Sequence, residues 1–276
     1  MKRKHLRRKV RAPFERLLIQ TLEAGTAVLP YPALPRLARA AGSFLRKLSK
    51  QQQVVAANLN VAFPEWSEDQ RGDVLRHTAE SVALTFLEFL WFHRHPHRIP
   101  EHVDFDTPDG QAVLEAGHSR TGTIFITPHL GNWEVMGKAL CLSGVPLHAV
   151  ARNIRNPWIG RLITESRAQT GMHVIPSQGA VRRLVRAIHN DKPVAVLMDQ
   201  NTRRRHGGIF VDFFGLPVPT TRVPATLARK FDLPVECAAC VRQNGVFKLK
   251  RAVLPRPPRE YTDDRALTQA LLTLNE

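Results

Sequence analysis

His129 and Glu134 are the residues whose types and spacing first suggest chemistry. They lie in the segment T-P-H-L-G-N-W-E, between a β-rich run and a following helical pattern. Pro128 and Gly131 favour a tight bend that can bring the two side chains together. A carboxylate beside an imidazole fixes the tautomer of the ring and stabilises the imidazolium that forms when the ring takes a proton. The pair therefore predicts a general base without its own nucleophile, as needed when a substrate hydroxyl attacks.

The spacing by itself also fits a structural histidine, because the chain contains twelve histidines. The H-E-x-x-H order of zinc proteases, a G-x-S-x-G turn and a P-loop are all missing from the sequence. Cys237 and Cys240 form a C-x-x-C pair, but no second pair completes a zinc site. We interpret them as small core residues of a buried strand. We accordingly expect neither a metal nor a cofactor.

Short β-rich runs alternate with helical stretches from about residue 118 onward. This alternation predicts an α/β fold with a largely parallel sheet flanked by helices. Reactive groups in such folds gather where the strands end, which is the position of both His129 and Asp199. The predicted helices are Asn132–Leu142, 157–169, Ala180–His189 and 219–231, and the predicted strands include Thr121–Thr127, Pro193–Met198, Pro234–Val241 and Val246–Val253.

The N-terminal region, residues 1–100, is predicted to be a helical, membrane-associating cap on an α/β core at residues 101–276. Its best helix signal is the capping box of Ser67 with Gln70. The aromatic residues near the end of this helix fit core packing better than lipid contact. The expected apolar stripe of the helix comprises Leu75, Ala79, Val82, Phe86 and Leu90.

The charge balance predicts an anionic partner, since 40 Lys and Arg face 24 Asp and Glu for a net charge of +16. Basic residues crowd the first eleven positions. The apolar segment Phe14–Leu37 follows them, but charges and prolines interrupt it, which favours an interfacial helix over a membrane span. A solvated basic tail is the alternative. We expect an anionic membrane surface and no nucleic acid, because the basic residues spread along the whole chain without a nucleic-acid motif.

The segment P-H-L-G-N-W-E-V-M-G resembles the block of a histidine, four residues and an acid in lysophospholipid acyltransferases. It is most similar to the lipid A biosynthesis branch, the lauroyl and myristoyl acyltransferases. Further blocks of that branch follow in the same order over about residues 120–245. Their matching residues are Arg152 with Asn156 and Pro157, Arg167 with Gly171, Asp199 with Gln200, and Phe213, Phe214, Gly215, Thr220 and Thr221.

The resemblance implies transfer of a fatty acyl chain from an acyl-carrier-protein thioester to a hydroxyl of a phosphorylated glycolipid, a lipid A precursor. His129 would deprotonate that hydroxyl, and Glu134 would orient His129. The implied location is the cytoplasmic face of the inner membrane.

The resemblance also implies substrate-binding roles for Asn132, Arg152, Arg167 and Asp199. Guanidinium groups can bind phosphate or a developing oxyanion through paired hydrogen bonds. An ion pair with an acidic residue is the alternative for Arg167, and a helix cap or ion pair is the alternative for Asp199. The arginines at 203–205 could bind lipid phosphates or the acidic carrier protein, or lie in a solvated loop.

Two departures from the family pattern affect this interpretation. The Phe-Pro-Glu-Gly block of glycerolipid members is absent, which favours the lipid A branch. The family usually continues into a C-terminal helix and a basic, Trp-rich tail, so we expect that tail to be missing here. One alternative is a phosphatidylinositol-mannoside type of acyltransferase, which tends to carry Asp at the position of Glu134. The other is a basic membrane-binding protein without catalytic activity.

Overall fold

The computed structural model describes residues 16–48, 51–152, 154 and 156–276. The basic residues among the first eleven positions lie outside these residues. The chain divides into two compact units. The first comprises the described parts of Met1–Arg98 and Ile154–Ile163, and the second comprises the described parts of Ile99–Asn153 and Thr164–Glu276.

The first unit is helical, as the sequence predicts. Its helices are α1 (16–27), α2 (Leu34–Leu48), α3 (Gln51–Ala62) and α4 (Glu68–Arg94). The predicted capping box is confirmed, since Ser67 Oγ accepts the Gln70 N–H at 3.2 Å and Gln70 Oε1 accepts the Ser67 N–H at 2.8 Å. Among the described residues, no helix is both long and apolar enough to cross a membrane.

The apolar stripe predicted for α4 is wrong at two positions. Val82 and Phe86 are 61% and 46% exposed. The buried face of α4 runs instead through Ala83 and Leu87, which pack against Ala38 of α2. The position of α2 therefore determines which row of α4 side chains is buried. The spacing of apolar residues in the sequence does not distinguish this row from the neighbouring one. The remaining aromatic residues of the helix end are buried, as predicted: Phe89, Trp91 and Phe92.

The second unit contains nine strands. In chain order they are β1 (Val103–Asp104), β2 (Ile124–Thr127), β3 (His148–Ala151), β4 (His173–Pro176), β5 (Val194–Leu197), β6 (Gly208–Phe213), β7 (Leu216–Thr221), β8 (Val235–Gln243) and β9 (Val246–Val253). Seven form a sheet in the order β1-β9-β8-β2-β5-β3-β4, and every neighbouring pair in it is parallel except β8 with β9. This arrangement confirms the predicted, largely parallel α/β sheet. Strands β6 and β7 form a separate antiparallel hairpin.

Helices flank this sheet. They are α5 (Pro108–Gly117), α6 (Trp133–Leu142), the end of α7 (Pro157–Ala168), α8 (Ala180–His189), α9 (Val223–Phe231) and α10 (Asp264–Thr273). Apolar residues of α8, α9 and α10 pack on the central strands, as Leu184, Ala228 and Leu267 do beside Ile126 of β2. All four residues of β2 are buried, as expected for a central strand with an apolar sequence.

The helix predicted at 219–231 is wrong at its start, because residues up to Thr221 belong to strand β7 and α9 begins at Val223. Phe214 and Gly215 close the hairpin with positive φ angles of 48° and 72°, as in a two-residue type I′ turn. Phe214 occupies a position where such turns usually have Asn, so the sequence does not indicate this turn. The prolines of β7 are tolerated because they lie in an edge strand of a two-stranded sheet.

Candidate active site

His129 and Asp199 meet at the carboxyl edge of the sheet. Strands β2 and β5 are parallel neighbours, and Thr127 at the end of β2 pairs with Leu197 at the end of β5. The chain therefore reaches His129 and Asp199 at the same distance beyond the paired strand ends. Pro128 lacks an N–H group and follows the last residue of β2, which suits the end of the ladder.

The carboxylate of Asp199 binds His129 twice. Its Oδ1 accepts a hydrogen bond from Nδ1 of the ring at 2.7 Å, and its Oδ2 accepts the backbone N–H of His129 at 2.7 Å. The ring edge also contacts Trp133, with ring centroids 4.6 Å apart. With Nδ1 engaged, Nε2 is the basic nitrogen, and the Gln200 amide nitrogen lies 3.3 Å from it.

The charge of Asp199 suits this role. Burial acts to raise the pKa of Asp199, but the hydrogen bonds from the ring and the backbone N–H of His129 outweigh it and hold the pKa below its ordinary value. The carboxylate is therefore ionised at neutral pH. An ionised acceptor at Nδ1 keeps the proton on that nitrogen and stabilises an imidazolium.

The turn after His129 is anchored to strand β8. Gly131 forms a β-bridge with Cys240, and the backbone N–H of Asn132 donates to the Cys240 carbonyl at 2.8 Å. The Asn132 side chain is fully buried, and its oxygen accepts the Val135 N–H at 3.1 Å, which caps α6. Cys237 and Cys240 are both buried in β8, as predicted for core residues.

Gly131→Ala is expected to destabilise the protein by about 2 kcal/mol or more and to displace this turn. Gly131 has a φ of 63°, and a Cβ there would lie 1.9 Å from the Cys240 carbonyl oxygen. Urea unfolding of the wild type and the variant measures the loss. Gly179→Ala provides a matched control, because Gly179 also has a positive φ but nothing lies within 4 Å of its Cβ position. Equal losses in both variants would contradict the close-approach argument.

Glu134 binds Arg167, whereas the sequence-based expectation placed it against His129. Arg167 Nε donates to Glu134 Oε2 at 3.1 Å, and the other arm of the guanidinium binds Oε1. No hydrogen bond joins Glu134 to His129 in the part of the chain that the structure describes. The physical reason is that Asn132 already starts the helix, so Glu134 projects toward the last turn of α7. The ion-pair alternative for Arg167 therefore describes its contact in the structure.

Lys138 extends this polar cluster and was missed by sequence analysis. Its Nζ donates to Ser166 Oγ at 2.5 Å, and both residues are 1% exposed. Burial lowers the pKa of Lys138 to about 8, with Glu134 opposing the shift and Arg167 adding to it. A signal was present, because Lys138 is the lone charge in V-M-G-K-A-L and follows Glu134 by one helical turn.

Stability should rise with pH because of Lys138. Its pKa is lower in the folded state, so between about 8 and 10.5 the unfolded chain binds more protons and raising the pH favours folding. The full shift corresponds to about 3 kcal/mol. We expect the free energy of unfolding of the wild type to gain about that amount relative to Lys138→Met from pH 8 to pH 10.5. Parallel pH curves from urea unfolding would exclude this assignment.

Exposed arginines surround the same edge of the sheet. Arg152 follows β3, and Arg203, Arg204 and Arg205 follow β5. Arg152, Arg203 and Arg204 form no ion pair with any described residue, so their guanidinium groups are available to an anionic ligand. Within the described ranges, no group of three His, Cys, Asp or Glu side chains is placed to hold a metal ion.

Comparison with known proteins gives a family match. The family model described as bacterial lipid A biosynthesis acyltransferase matches residues 3–276. A phosphatidylinositol mannoside acyltransferase of Mycolicibacterium smegmatis is 26% identical over 209 residues, covering 74% of this chain and 66% of that protein. The lipid A biosynthesis palmitoleoyltransferase of Escherichia coli K12 is 25% identical over 240 residues, covering 86% and 76%. The chain spans about half to two thirds of the length of the mannoside acyltransferases that it matches.

Proposed function

This chain belongs to the bacterial lipid A biosynthesis acyltransferase family, and from that premise we propose that it moves a fatty acyl chain from a thioester donor to a hydroxyl of a glycolipid. The observation that carries the proposal is the His129 ring, whose Nδ1 is bound by Asp199. Relatives named for lipid A and for phosphatidylinositol mannoside support a glycolipid acceptor. Ordinary hydroxyls are poor nucleophiles at neutral pH, so such a transfer needs a positioned base.

In the proposed mechanism, Nε2 of His129 takes the proton of the acceptor hydroxyl as its oxygen attacks the thioester carbonyl carbon. The resulting imidazolium is stabilised by the Asp199 carboxylate. The tetrahedral intermediate then collapses, the carbon–sulfur bond breaks, and the imidazolium returns its proton to the departing thiolate. The products are an ester and a free thiol, and the protein is unchanged.

Asp199 and Glu134 have different roles in this proposal. Asp199 touches the base and fixes its tautomer. Glu134 supports His129 indirectly. Its ion pair with Arg167 joins the first turn of α6, which follows the catalytic turn, to the end of α7. Asn132 supports the base in the same indirect way, since it caps α6 immediately after the turn. This assignment gives Arg167 a structural contact, and of these two arginines it leaves Arg152 exposed for substrate.

The proposed substrates follow from the charge at the sheet edge. Arg152 and the arginines at 203–205 are suited to bind phosphate groups of a glycolipid, and a lipid A precursor is the acceptor we favour. An acyl-carrier-protein thioester is the proposed donor. A phosphatidylinositol mannoside is the second candidate acceptor, because the M. smegmatis relative named for that lipid is 26% identical to this chain.

We further propose that the protein works at an anionic membrane surface, on the cytoplasmic face of the inner membrane. The helices of the first unit support this location, because they carry exposed apolar side chains beside basic ones. These exposed side chains include Leu17, Leu18, Leu37 and Phe44.

Incubation with defined lipids tests the proposed activity. The full chain is mixed with a lipid A precursor or a phosphatidylinositol mannoside and with acyl-carrier-protein or coenzyme A thioesters, and the products are read by mass spectrometry. We expect one glycolipid to gain the mass of one acyl chain, with release of one thiol. The His129→Ala chain serves as the matched control. If neither acceptor gains an acyl chain from any donor, the proposed function is wrong.

A further inference from the structure

We propose that the β6–β7 hairpin and the arginine turn before it, residues 203–221, dock on an anionic lipid surface and hold the His129 site beside it. We call these residues the interfacial hairpin. The inference rests on the proposed function for its purpose, since the acceptor would be a membrane lipid. It adds a lipid-binding element to the second unit, separate from the N-terminal region.

The interfacial hairpin leaves two large apolar side chains uncovered, one on its outward face and one at its tip. Phe210 is 43% exposed and pairs across the hairpin with Pro219. Leu216 begins β7 at the tip of the hairpin, on the opposite face from Phe210, and is 47% exposed. Side chains alternate along the strands, and the inward face is buried at Val211 and Thr220. The hairpin therefore packs part of its inward face on the core and leaves Phe210 of the outward face and Leu216 of the tip exposed to a partner.

The tip of the hairpin is also aromatic. Phe213 and Phe214 have ring centroids 4.8 Å apart. Phe214 adopts a positive φ of 48°, a conformation that bulky residues rarely take, and its N–H donates to Glu276 Oε1 at 2.8 Å. A turn of this shape is easiest for Asn-Gly, so the aromatic pair is not there for the turn itself. Contact with an apolar partner would account for the aromatic pair at this position.

The base of the hairpin supplies positive charge. Arg203, Arg204 and Arg205 are exposed, and none of them pairs with an acidic residue in the described part of the chain. Asp212 is the acidic residue of the hairpin's outward face, so the three guanidinium groups leave an excess of positive charge. Basic residues beside exposed apolar ones are typical of surfaces that bind anionic lipid at the headgroup level.

The hairpin is fixed beside the active site. Thr220 Oγ1 donates to the carbonyl of Met198 at 2.8 Å, and the Thr202 N–H donates to the carbonyl of Pro219 at 2.6 Å. Met198 immediately precedes Asp199, the partner of His129. Docking of the hairpin would therefore place the catalytic base close to the lipid surface, where a hydroxyl of an amphiphilic acceptor can reach it.

A second copy of the chain fits this surface less well than lipid does. Pro217 and Pro219 have no backbone N–H, so β7 cannot offer a full ladder of donors to another strand. The exposed arginines would also repel the same arginines of a second copy across a two-fold contact. An anionic lipid layer satisfies both the apolar and the charged parts of the hairpin.

Vesicle binding by the full chain tests the inference. The probe is vesicles of phosphatidylglycerol and phosphatidylcholine in equal parts, compared with pure phosphatidylcholine vesicles, and the bound fraction is measured by sedimentation. For Phe210→Ser with Leu216→Ser, we expect vesicle affinity to fall at least about fivefold. For Arg203→Gln with Arg204→Gln and Arg205→Gln, we expect a fall of at least about tenfold on the anionic vesicles, with weaker salt dependence.

Two controls match these changes. Val253→Ser removes an apolar side chain of similar exposure, 47%, from the end of β9, which pairs with the start of β8 at the opposite edge of the sheet. Arg182→Gln with Arg183→Gln and Arg186→Gln removes the same charge from the exposed side of α8. We expect both controls to bind vesicles within about twofold of the wild type. Wild-type binding by the hairpin variants, equal losses in the controls, or a change of oligomeric state in place of a loss of vesicle binding would overturn the inference.

An activity assay separates this inference from the proposed function. Thiol release is measured with a short-chain, water-soluble glycolipid acceptor and with an acceptor embedded in vesicles. The variant Phe210→Ser with Leu216→Ser should keep wild-type turnover on the soluble acceptor and lose at least about fivefold on the embedded one. Turnover that falls equally on both acceptors contradicts the docking role. No turnover by the wild type on either acceptor counts against the proposed function, whereas the vesicle-binding result still decides the docking surface.

Discussion

Replacing His129 with alanine is expected to lower kcat by about 10²–10⁴-fold, the usual contribution of a positioned general base. The reason is that, among the residues that the structure describes, His129 is the one titratable side chain hydrogen-bonded to Asp199. The fold should survive, because the backbone N–H of residue 129 still donates to Asp199 Oδ2. We expect the free energy of unfolding to change by about 1 kcal/mol at most. Thiol release from the thioester donor, measured at saturating acceptor, gives kcat.

His118→Ala is the matched control for this experiment. His118 is another exposed histidine of the second unit, at the end of α5. Its loss should leave kcat unchanged. Full turnover by His129→Ala would exclude His129 as the base. Circular dichroism shows whether the variant is folded. If His129→Ala is unfolded, the same measurement is made on His129→Gln.

Asp199→Asn should lower kcat about as strongly. In a Ser-His-Asp triad, the corresponding change of acid to amide costs about 10⁴ in kcat because it favours the wrong tautomer of the ring. An Asn amide that donates to Nδ1 would move the ring proton to Nε2, the nitrogen that must accept the hydroxyl proton. Stability should fall little, since Asn retains the size of Asp199 and one acceptor oxygen. Comparison of kcat with urea unfolding separates the two effects.

Glu134→Gln is the informative comparison, because it tests the other carboxylate of the site. Loss of the Glu134 charge leaves Arg167 and Lys138 close together without a counter-ion, which typically costs about 3–5 kcal/mol for a buried pair. We expect Glu134→Gln to lose stability first and turnover as a consequence. If Glu134→Gln abolished turnover at unchanged stability while Asp199→Asn remained active, Glu134 would be the partner of His129 during catalysis.

Local signals in the sequence were sufficient for many of the elements. The capping box of Ser67 with Gln70 marked the start of α4, and the spacing of apolar residues gave α8 its observed bounds, Ala180–His189. The apolar runs before Pro128 and Asp199 predicted the two buried strands that carry the site. These signals are local because helix caps and buried strands depend on residues close together in the chain.

The contacts of the site could not be predicted in the same way. His129 and Glu134 are five positions apart in the sequence, and this closeness favours a predicted contact between them. The contact with Asp199 depends on β2 and β5 being neighbours, although β3 and β4 lie between them in the chain. Strand order is a property of the whole sheet, and no local pattern reports it. The hairpin was missed for a different reason, because Phe214 occupies a turn position where Asn or Gly is usual.

The bridge between Gly131 and Cys240 has a consequence for how this fold tolerates sequence change. Strand β8 holds the catalytic turn through the carbonyl oxygen of residue 240, a group that every amino acid possesses. Drift at position 240 among small apolar residues should therefore be nearly neutral, whereas position 131 admits no side chain at all. Selection on one contact thus falls almost wholly on one of its two partners, and a comparison of distant relatives should find glycine retained at 131 beside a varied residue at 240.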